Sequence, residues 1–421
     1  MKTSELHKIY LECSGISIDS RSISENQLFF ALKGPNFDGH LYVESALKEG
    51  AKYAIIEDER YIGVPNTILV TNVERALQDL ARYHRTTLKI PIIGLTGSNG
   101  KTTTKELLAS VLCQKFEVFA TKGNLNNHLG VPISILSIKT NHTIAIIEMG
   151  ANHQGEIKFL SEISMPNYGL ITNIGKAHLE GFGNIEGVRK AKTELYEFLR
   201  KVKGQIFFDC SDKYLLKSIE IEDNAIAYDS AQIIILNEFP YLKISYNQNE
   251  YSVNLSGAYN ATNMLAAIKI GQYFQITNKD ISKGLSAYVP SNNRSEIKNT
   301  EDNILILDAY NANPSSMRVS IENIYKAKTK NKTLIIGHML ELGLESKSEH
   351  QDLVNYIKEL GFRSVFLVGE EFQKVDIPQY FDYFSDTTSL QKCLSDTPLT
   401  NQTILLKGSR GIALEKLIPL L

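Results

Sequence analysis

A chain of 421 residues is too long for one hydrophobic core and calls for two or three domains. Its formal net charge of −2, with acids and bases interspersed, excludes the basic field that holds nucleic acid without sequence preference. Cys13, Cys113, Cys210 and Cys393 lie far apart with no C-x-x-C pair, which argues against a zinc site or a disulfide framework and for reduced thiols in the cytoplasm.

The N-terminus has no continuous apolar stretch of signal-peptide type, and no run approaches the ~18 apolar residues of a membrane span, so no membrane partner is expected. In the first stretch, 27–32, 53–57 and 67–71 read as short strands and 41–49 and 73–88 as helices. Residues 1–88 therefore form a small α/β domain. Two polar pieces flank its first strand: Asp19, Ser20 and Arg21 before it, and KGPNFDGH, with Gly34, Asp38 and His40, after it. Each taken singly is a capped turn or a polar loop, although the fork of Arg21 suits a diphosphate.

The next domain, 89–293, opens on IIGLTGSNGKTTTKELL, where a buried-looking strand runs into Gly97, Ser98, Asn99 and Gly100, and Lys101, Thr102 and Thr103 begin a helix. Glycines let successive N–H groups wrap an anion, the helix N-terminus adds partial positive charge, the lysine neutralises outer phosphates and a threonine hydroxyl can hold a metal. Leu95 stands where the strict loop pattern has a small residue. Further on, TKGNLNNHLGVP places Asn124, Asn126 and Asn127 in one turn, and such uncharged donors and acceptors suit a sugar or a peptide as well as the turn itself. The strand at 144–149 ends on Glu148, an acid at the carboxyl edge where ligands collect in an open α/β sheet. The following strand, 168–173, leads into IGKAHLE with His178, and Lys192 follows in AKTELYEF. Stretch 220–255 reads as strands and loops, and GAYNATN then carries Asn260 and Asn263, the latter placed to begin and cap an Ala-rich helix.

A polar turn at 289–293 marks the last boundary. Residues 294–421 alternate strand and helix, with strands at 304–308, 333–336, 364–368 and 403–406, helices at 314–326 and 348–360, and a helix at the C-terminus. This is a Rossmann-like unit. Arg294 opens it, Asp308 and Asn311 lie in DAYNANPSSM at a strand end, and KGSRG offers loop amides, Ser409 and Arg410 to a carboxylate.

TGSNGKTTT resembles the ATP loop of the Mur ligases, ATP-dependent amide-forming enzymes of cell-wall precursor synthesis. TTTKE, the DSR and DGH pieces, GN-NN-GVP, N-I-G-x-A-H-L and DAYNANPSSM extend that resemblance over nearly the whole chain and point to the branch joining D-alanyl-D-alanine to a UDP-N-acetylmuramoyl-tripeptide. The resemblance implies ATP and Mg2+ and an α/β fold of three domains, and a monomer is the simplest expectation for a hinged ligase. It assigns Ser20, Arg21, Gly34, Asp38 and His40 to the UDP-sugar, and Asn124, Asn126 and Asn127 to the substrate. It gives the metals Thr102 with Glu148, and His178 with a carbamylated Lys192; a plain helix lysine is the other reading of Lys192. Asn260, Asn263, Arg294, Asp308 and Asn311 are carried over toward ATP. Tyr259 and His338 depart from the pattern, replacing a histidine and an aspartate. A non-catalytic ATP-binding scaffold would be expected to lose Lys101, Glu148 or His178, and a ligase adding glutamate to a folate would lack the DSR and DGH pieces; all are present.

Overall fold

The computed structural model describes residues 1–291 and 293–421; Asn292, in the expected boundary turn, lies outside the described residues. The first sheet is parallel, with Ile16–Ser17, Leu28–Phe30, Tyr53–Ile56 and Thr67–Leu69 in that spatial order. The helix Val73–Thr87 is capped by Asn72, whose Oδ1 accepts from the Arg75 amide at 2.7 Å, and it buries Val73, Leu77, Leu80, Ala81 and His84 at helical spacing. That face joins the first sheet to the second: one continuous core runs from Leu6, Leu28 and Leu77 to Ile135, Ile147 and Leu195. Buried Arg85 fixes the junction by donating to the carbonyls of Leu88, Ser164 and Met165 at 3.0, 2.9 and 2.9 Å.

The central sheet has six parallel strands in the order Ala225–Tyr228, Gln205–Asp209, Tyr168–Ile171, Ile92–Thr96, Ile144–Glu148, Val118–Ala120. Ile92–Thr96 is buried along its whole length, as its apolar run requires with helices on both faces. The chain leaves that strand toward Val118–Ala120 and later crosses to its other side at Tyr168–Ile171. The strand order therefore reverses at Ile92–Thr96, and the loops after it and both its neighbours open into one crevice. The second face is closed by the helix Asn260–Tyr273 and a three-stranded antiparallel sheet, Ile234–Asn237, Leu242–Tyr246 and Asn249–Val253.

The third sheet also has six strands, in the order Glu296–Asn299, Ile304–Asp308, Thr403–Lys407, Lys332–Gly337, Ser364–Val368, Asp382–Phe384, with only the first pair antiparallel. Two cores cover its faces.

Local differences from the sequence reading have physical causes. The helix carrying Asn263 begins a turn earlier, at Asn260 after the left-handed Gly257, so Asn263 caps nothing and is free to bond sideways. The expected C-terminal helix is two short 3-10 turns, Arg410–Ile412 and Leu414–Leu420: the Pro419 ring would crowd the carbonyl four residues back in an α-helix, and Leu414, Leu417 and the nearby Leu421 bury at a three- to four-residue spacing. The expected helix 41–49 opens as a 3-10 turn, Gly39–Tyr42, before Val43–Lys48. Strands Glu296–Asn299 and Asp382–Phe384 sit on the two edges of their sheet.

His84 gives the first junction a pH dependence. Burial, and then its neighbour His7 at 3.1 Å, push its pKa from the ordinary 6.5 down to about 4. The folded chain keeps this ring neutral while the unfolded chain takes a proton below 6.5, so its share of stability is whole above that pH and is lost as pH falls toward 4. Unfolding free energy from urea titration should decline across that window by at most ~1.4 kcal/mol per pH unit. His84→Gln should flatten that part of the slope.

Candidate active site

The crevice at the strand reversal is a cavity of about 850 Å³ lined by all three of the central loops and by the third sheet. Its floor is the loop from Gly97 to Lys101. Gly97 and Gly100 hold φ of +147° and +76°, and a Cβ on either would collide, with Thr172 Oγ1 at 2.0 Å and with Asn263 Oδ1 at 2.4 Å. The loop is laced to the neighbouring strand end: the Asn99 amide donates to Asn173 Oδ1 at 3.0 Å, Asn173 Nδ2 donates to Asn99 O at 3.1 Å, and Ser98 Oγ donates to Gly175 O at 3.1 Å. From below, Thr104 Oγ1 donates to Asn263 Oδ1 at 3.0 Å, and Asn263 Nδ2 to Asn260 Oδ1 at 3.0 Å. The two asparagines thus brace the start of the helix as well as line the cavity.

Lys101 folds back onto the loop, its Nζ donating to Gly97 O at 2.7 Å and Ser98 O at 3.3 Å. Burial lowers its pKa, the Glu148 carboxylate opposes that, and Arg294 adds to it. Such a self-satisfied ammonium is held where an incoming polyanion can take over its bonds.

Glu148 is 1% exposed at the end of Ile144–Glu148. Its Oε1 accepts from Thr102 Oγ1 at 3.2 Å and Asn126 Nδ2 at 2.9 Å, whereas Oε2 is buried without a hydrogen-bond partner, 3.8 Å from the Lys105 ammonium. An orphaned carboxylate oxygen beside a threonine hydroxyl fits a hard cation that completes its shell with phosphate oxygens and water. Among the described residues no three His, Cys, Asp or Glu side chains cluster into a preformed metal cage. Lys192 is fully buried near the same crevice, donating to Ala151 O at 3.1 Å with its ammonium 5.3 Å from the Phe182 ring centroid. Burial, then the charge of Lys101, drive its pKa well down, which favours a neutral, nucleophilic amine. His178, at a left-handed φ of +52°, lies with Nδ1 2.5 Å from Glu341 Oε2, outside hydrogen-bond angles.

The roof comes from the third sheet. Asp308 and Lys407 are register partners at the ends of adjacent strands, their charges 2.8 Å apart, and Ser320 Oγ donates to Asp308 Oδ2 at 2.6 Å. Arg294 stacks on Tyr310, 3.7 Å from the ring centroid, and its Nε is buried without a partner. It stands between Asn293 and Ser295, both at positive φ, so the chain there is bent to aim it. Asn313 caps the helix Pro314–Lys326 and donates from Nδ2 to Asn99 Oδ1 at 2.7 Å, a direct bond from roof to floor.

Of the residues marked in the sequence, Ser98 to Thr103, Asn124, Asn126, Asn127, Glu148, His178, Asn260, Asn263, Arg294, Asp308 and Asn311 line this one cavity. Asn127 also caps a helix, its Oδ1 accepting from the Gly130 amide at 2.8 Å. Gly97 and Lys192 stand just behind the wall. Ser409 is 2% exposed and spends its hydroxyl accepting from the Leu340 amide at 3.0 Å, while Arg410 is exposed, 5.3 Å from the Tyr310 centroid. Ser20, Arg21, Gly34, Asp38 and His40 lie apart on the first domain. There Arg21 pairs with Asp19 at 2.8 Å, and buried His40 is held between Asp38 Oδ1 at 2.7 Å and the Glu57 amide at 3.0 Å, so its Nε2 accepts and its Nδ1 carries the proton. His338 points away from the cavity against Gly369, where a Cβ would sit 2.2 Å from its Nδ1.

Asn173, Tyr310, Glu341 and Lys407 also line the cavity and were not marked. Lys407 had a readable signal, an opposite charge at the end of a strand that would pair with the one ending in Asp308. Glu341 had none beyond its place in MLELG.

Three family models match in sequence: the Mur ligase family catalytic domain over residues 12–92, the Mur ligase middle domain over 95–271 and the Mur ligase glutamate ligase domain over 293–410. UDP-N-acetylmuramoyl-tripeptide–D-alanyl-D-alanine ligases of Bacillus subtilis and Rickettsia prowazekii are 32% and 35% identical, over 96% and 97% of this chain and 92% and 95% of theirs. MurF from Acinetobacter baumannii superposes with a TM-score of 0.86 at 28% identity, covering 99% of this chain and 98% of that one. MurF from Thermotoga maritima, solved with ADP, gives 0.84 at 26% identity, with 98% and 97% covered.

The cradle's dependence on glycine is measurable. Gly100→Ala places a Cβ in a left-handed turn against Asn263, and Gly123→Ala does so at φ +54° with nothing within 4 Å. Both should lose the ~1–2 kcal/mol of the left-handed penalty, and Gly100→Ala on the order of 1 kcal/mol more for the displaced Asn263 bond, in urea unfolding.

Proposed function

The chain belongs to the Mur ligase family, and on that premise we propose that it joins D-alanyl-D-alanine to UDP-N-acetylmuramoyl-tripeptide at the expense of ATP. The observation that carries this reading is a single cavity whose floor is a phosphate cradle with an orphaned carboxylate and whose roof supplies Arg294, Asp308 and Lys407 from another sheet.

A carboxylate cannot be attacked by an amine while hydroxide is its leaving group, so its oxygen must first be phosphorylated. The carboxylate attacks the γ-phosphorus, ADP leaves and an acyl phosphate forms; the amine then attacks the carbonyl carbon, the C–O bond to phosphate breaks, and phosphate and a proton depart. The obstacle is charge, since two anions ~4 Å apart repel by about 4 kcal/mol at an effective dielectric near 20. The amides of Gly100 to Thr103 and the Lys101 ammonium take the phosphates, Arg294 meets them from the roof, and Asn260 and Asn263 keep the helix start in place. Thr102 and Glu148 would hold one Mg2+, and His178 with carbamylated Lys192 a second. When bound, the ions neutralise phosphate and carboxylate charge so that the two can meet. The burial that drives the Lys192 pKa down supports carbamylation, because only the unprotonated amine adds carbon dioxide.

Residues 1–88 take the UDP-sugar through Arg21 and Ser20, with Gly34, Asp38 and His40 shaping the neighbouring loop. Residues 89–293 take ATP, with Asn124, Asn126 and Asn127 toward the peptide, and 294–421 bring the dipeptide, with Ser409 and Arg410 near its carboxylate and Asn311 beside the nucleotide. We place the reaction in the cytoplasm, where ATP and nucleotide-linked precursors are found, and assign it to a monomer, the simplest state for a ligase whose domains hinge on one another. Among the described residues no helix is long and apolar enough to cross a membrane.

Phosphate release from ATP and magnesium, with tripeptide and dipeptide offered singly and together, tests the proposal. Release should need both, and Lys101→Ala should lower kcat on the order of a hundred- to a thousandfold. Release with neither tripeptide form, lysine- or diaminopimelate-containing, would contradict it.

A further inference from the structure

The loop between the strand Tyr168–Ile171 and the helix Ile185–Val202 is gripped twice from across the cleft. His178 Nδ1 lies 2.5 Å from Glu341 Oε2, and two residues earlier Lys176 Nζ donates to Glu349 Oε1 at 2.7 Å. Both acids belong to one segment of the third domain: Glu341 to the turn after Lys332–Gly337, Glu349 to the first turn of the helix Ser346–Glu359. The two grips differ in kind. The Glu341 side chain is 51% exposed, whereas that of Glu349 is 9% exposed. A carboxylate so far out of water needs a partner, and the charged partner it has is supplied by the other domain. Lys176 occupies the open position of the N-I-G-x-A-H-L pattern, where the chemistry of the cradle asks for nothing.

We infer that Lys176 and Glu349 are a cross-domain positioning pair that holds the 174–180 loop, and with it His178, in the cavity when the third sheet lies over the central one. Separating the domains leaves Glu349 to water and frees the loop. The pair touches no reacting atom: it acts through His178 and through the placement of the roof, whose bond from Asn313 to Asn99 needs the same alignment. The kinetic half of the inference rests on the ligase reading; the structural half does not.

The test is a charge exchange in the full chain: Lys176→Glu, Glu349→Lys and the two together, with phosphate release at saturating substrates and small-angle scattering with ADP and magnesium. Each single reversal should lower kcat about tenfold while KM for ATP stays within about twofold, and the double exchange should return kcat to within about threefold of the parent. The radius of gyration should rise in the singles and return in the double. A double exchange as slow and as open as the singles, or singles as fast as the parent, would overturn the inference. If a reversal does not fold, Lys176→Met replaces it, and an unchanged kcat and radius there would equally overturn it. A parent that releases no phosphate with both substrates removes the ligase reading, and the scattering comparison then decides the pair alone.

Discussion

Two anions have to meet in the crevice, a terminal phosphate and a carboxylate, and most of the molecule can be understood as the means of holding enough positive charge there. The cation set is distributed by origin. Lys101 and the loop amides come from the central sheet, Arg294 and Lys407 from the third, and each is held by groups of its own domain while it waits: Lys101 by Gly97 O, Lys407 by Asp308, Arg294 by the face of Tyr310. Electrostatic stabilisation of this kind works only if the donors are in place beforehand, because reorganising them would spend what they contribute. The positive φ angles on either side of Arg294 are the local strain that this preorganisation requires, and Gly97 and Gly100 let the loop pack closely without a side chain.

The same demand explains why the sheets are arranged as they are. The reversal of strand order at Ile92–Thr96 gathers the ends of three strands, Thr96, Glu148 and Ile171, at one edge, and the third sheet presents the ends of Ile304–Asp308 and Thr403–Lys407 toward it. Acid, lysine and asparagine residues therefore come from the carboxyl ends of buried parallel strands on both sides, and the strands themselves carry almost nothing but packing. The first domain is joined to this frame through a shared apolar core and Arg85 rather than through the cavity.

Much of this arrangement was legible in the chain. The apolar run into GSNGKTT announces strand, anion loop and helix together, because each needs its own residue types in fixed order, and sixteen marked residues line one cavity. What could not be read is what depends on contact between distant segments. Asn263 looks like a cap in sequence and is a brace in space; Ser409 looks like a ligand group and is a tie to Leu340. Glu341, in a turn, and Glu349, in the first turn of a polar helix, are ordinary acids until the fold places them over His178 and Lys176. The 3-10 ending at Leu414–Leu420 was missed because the leucine spacing fits either helix, and Pro419 alone distinguishes them.

The claim at the centre of this account is that the carboxylate oxygen itself attacks the γ-phosphate. Labelling both oxygens of the tripeptide's terminal carboxylate with oxygen-18 and analysing the released phosphate by mass spectrometry tests it without reference to any single residue. The account predicts one labelled oxygen in each phosphate released, carried over when the amine cleaves the acyl phosphate. Unlabelled phosphate accompanying amide formation would contradict it and point to activation that leaves both carboxylate oxygens elsewhere.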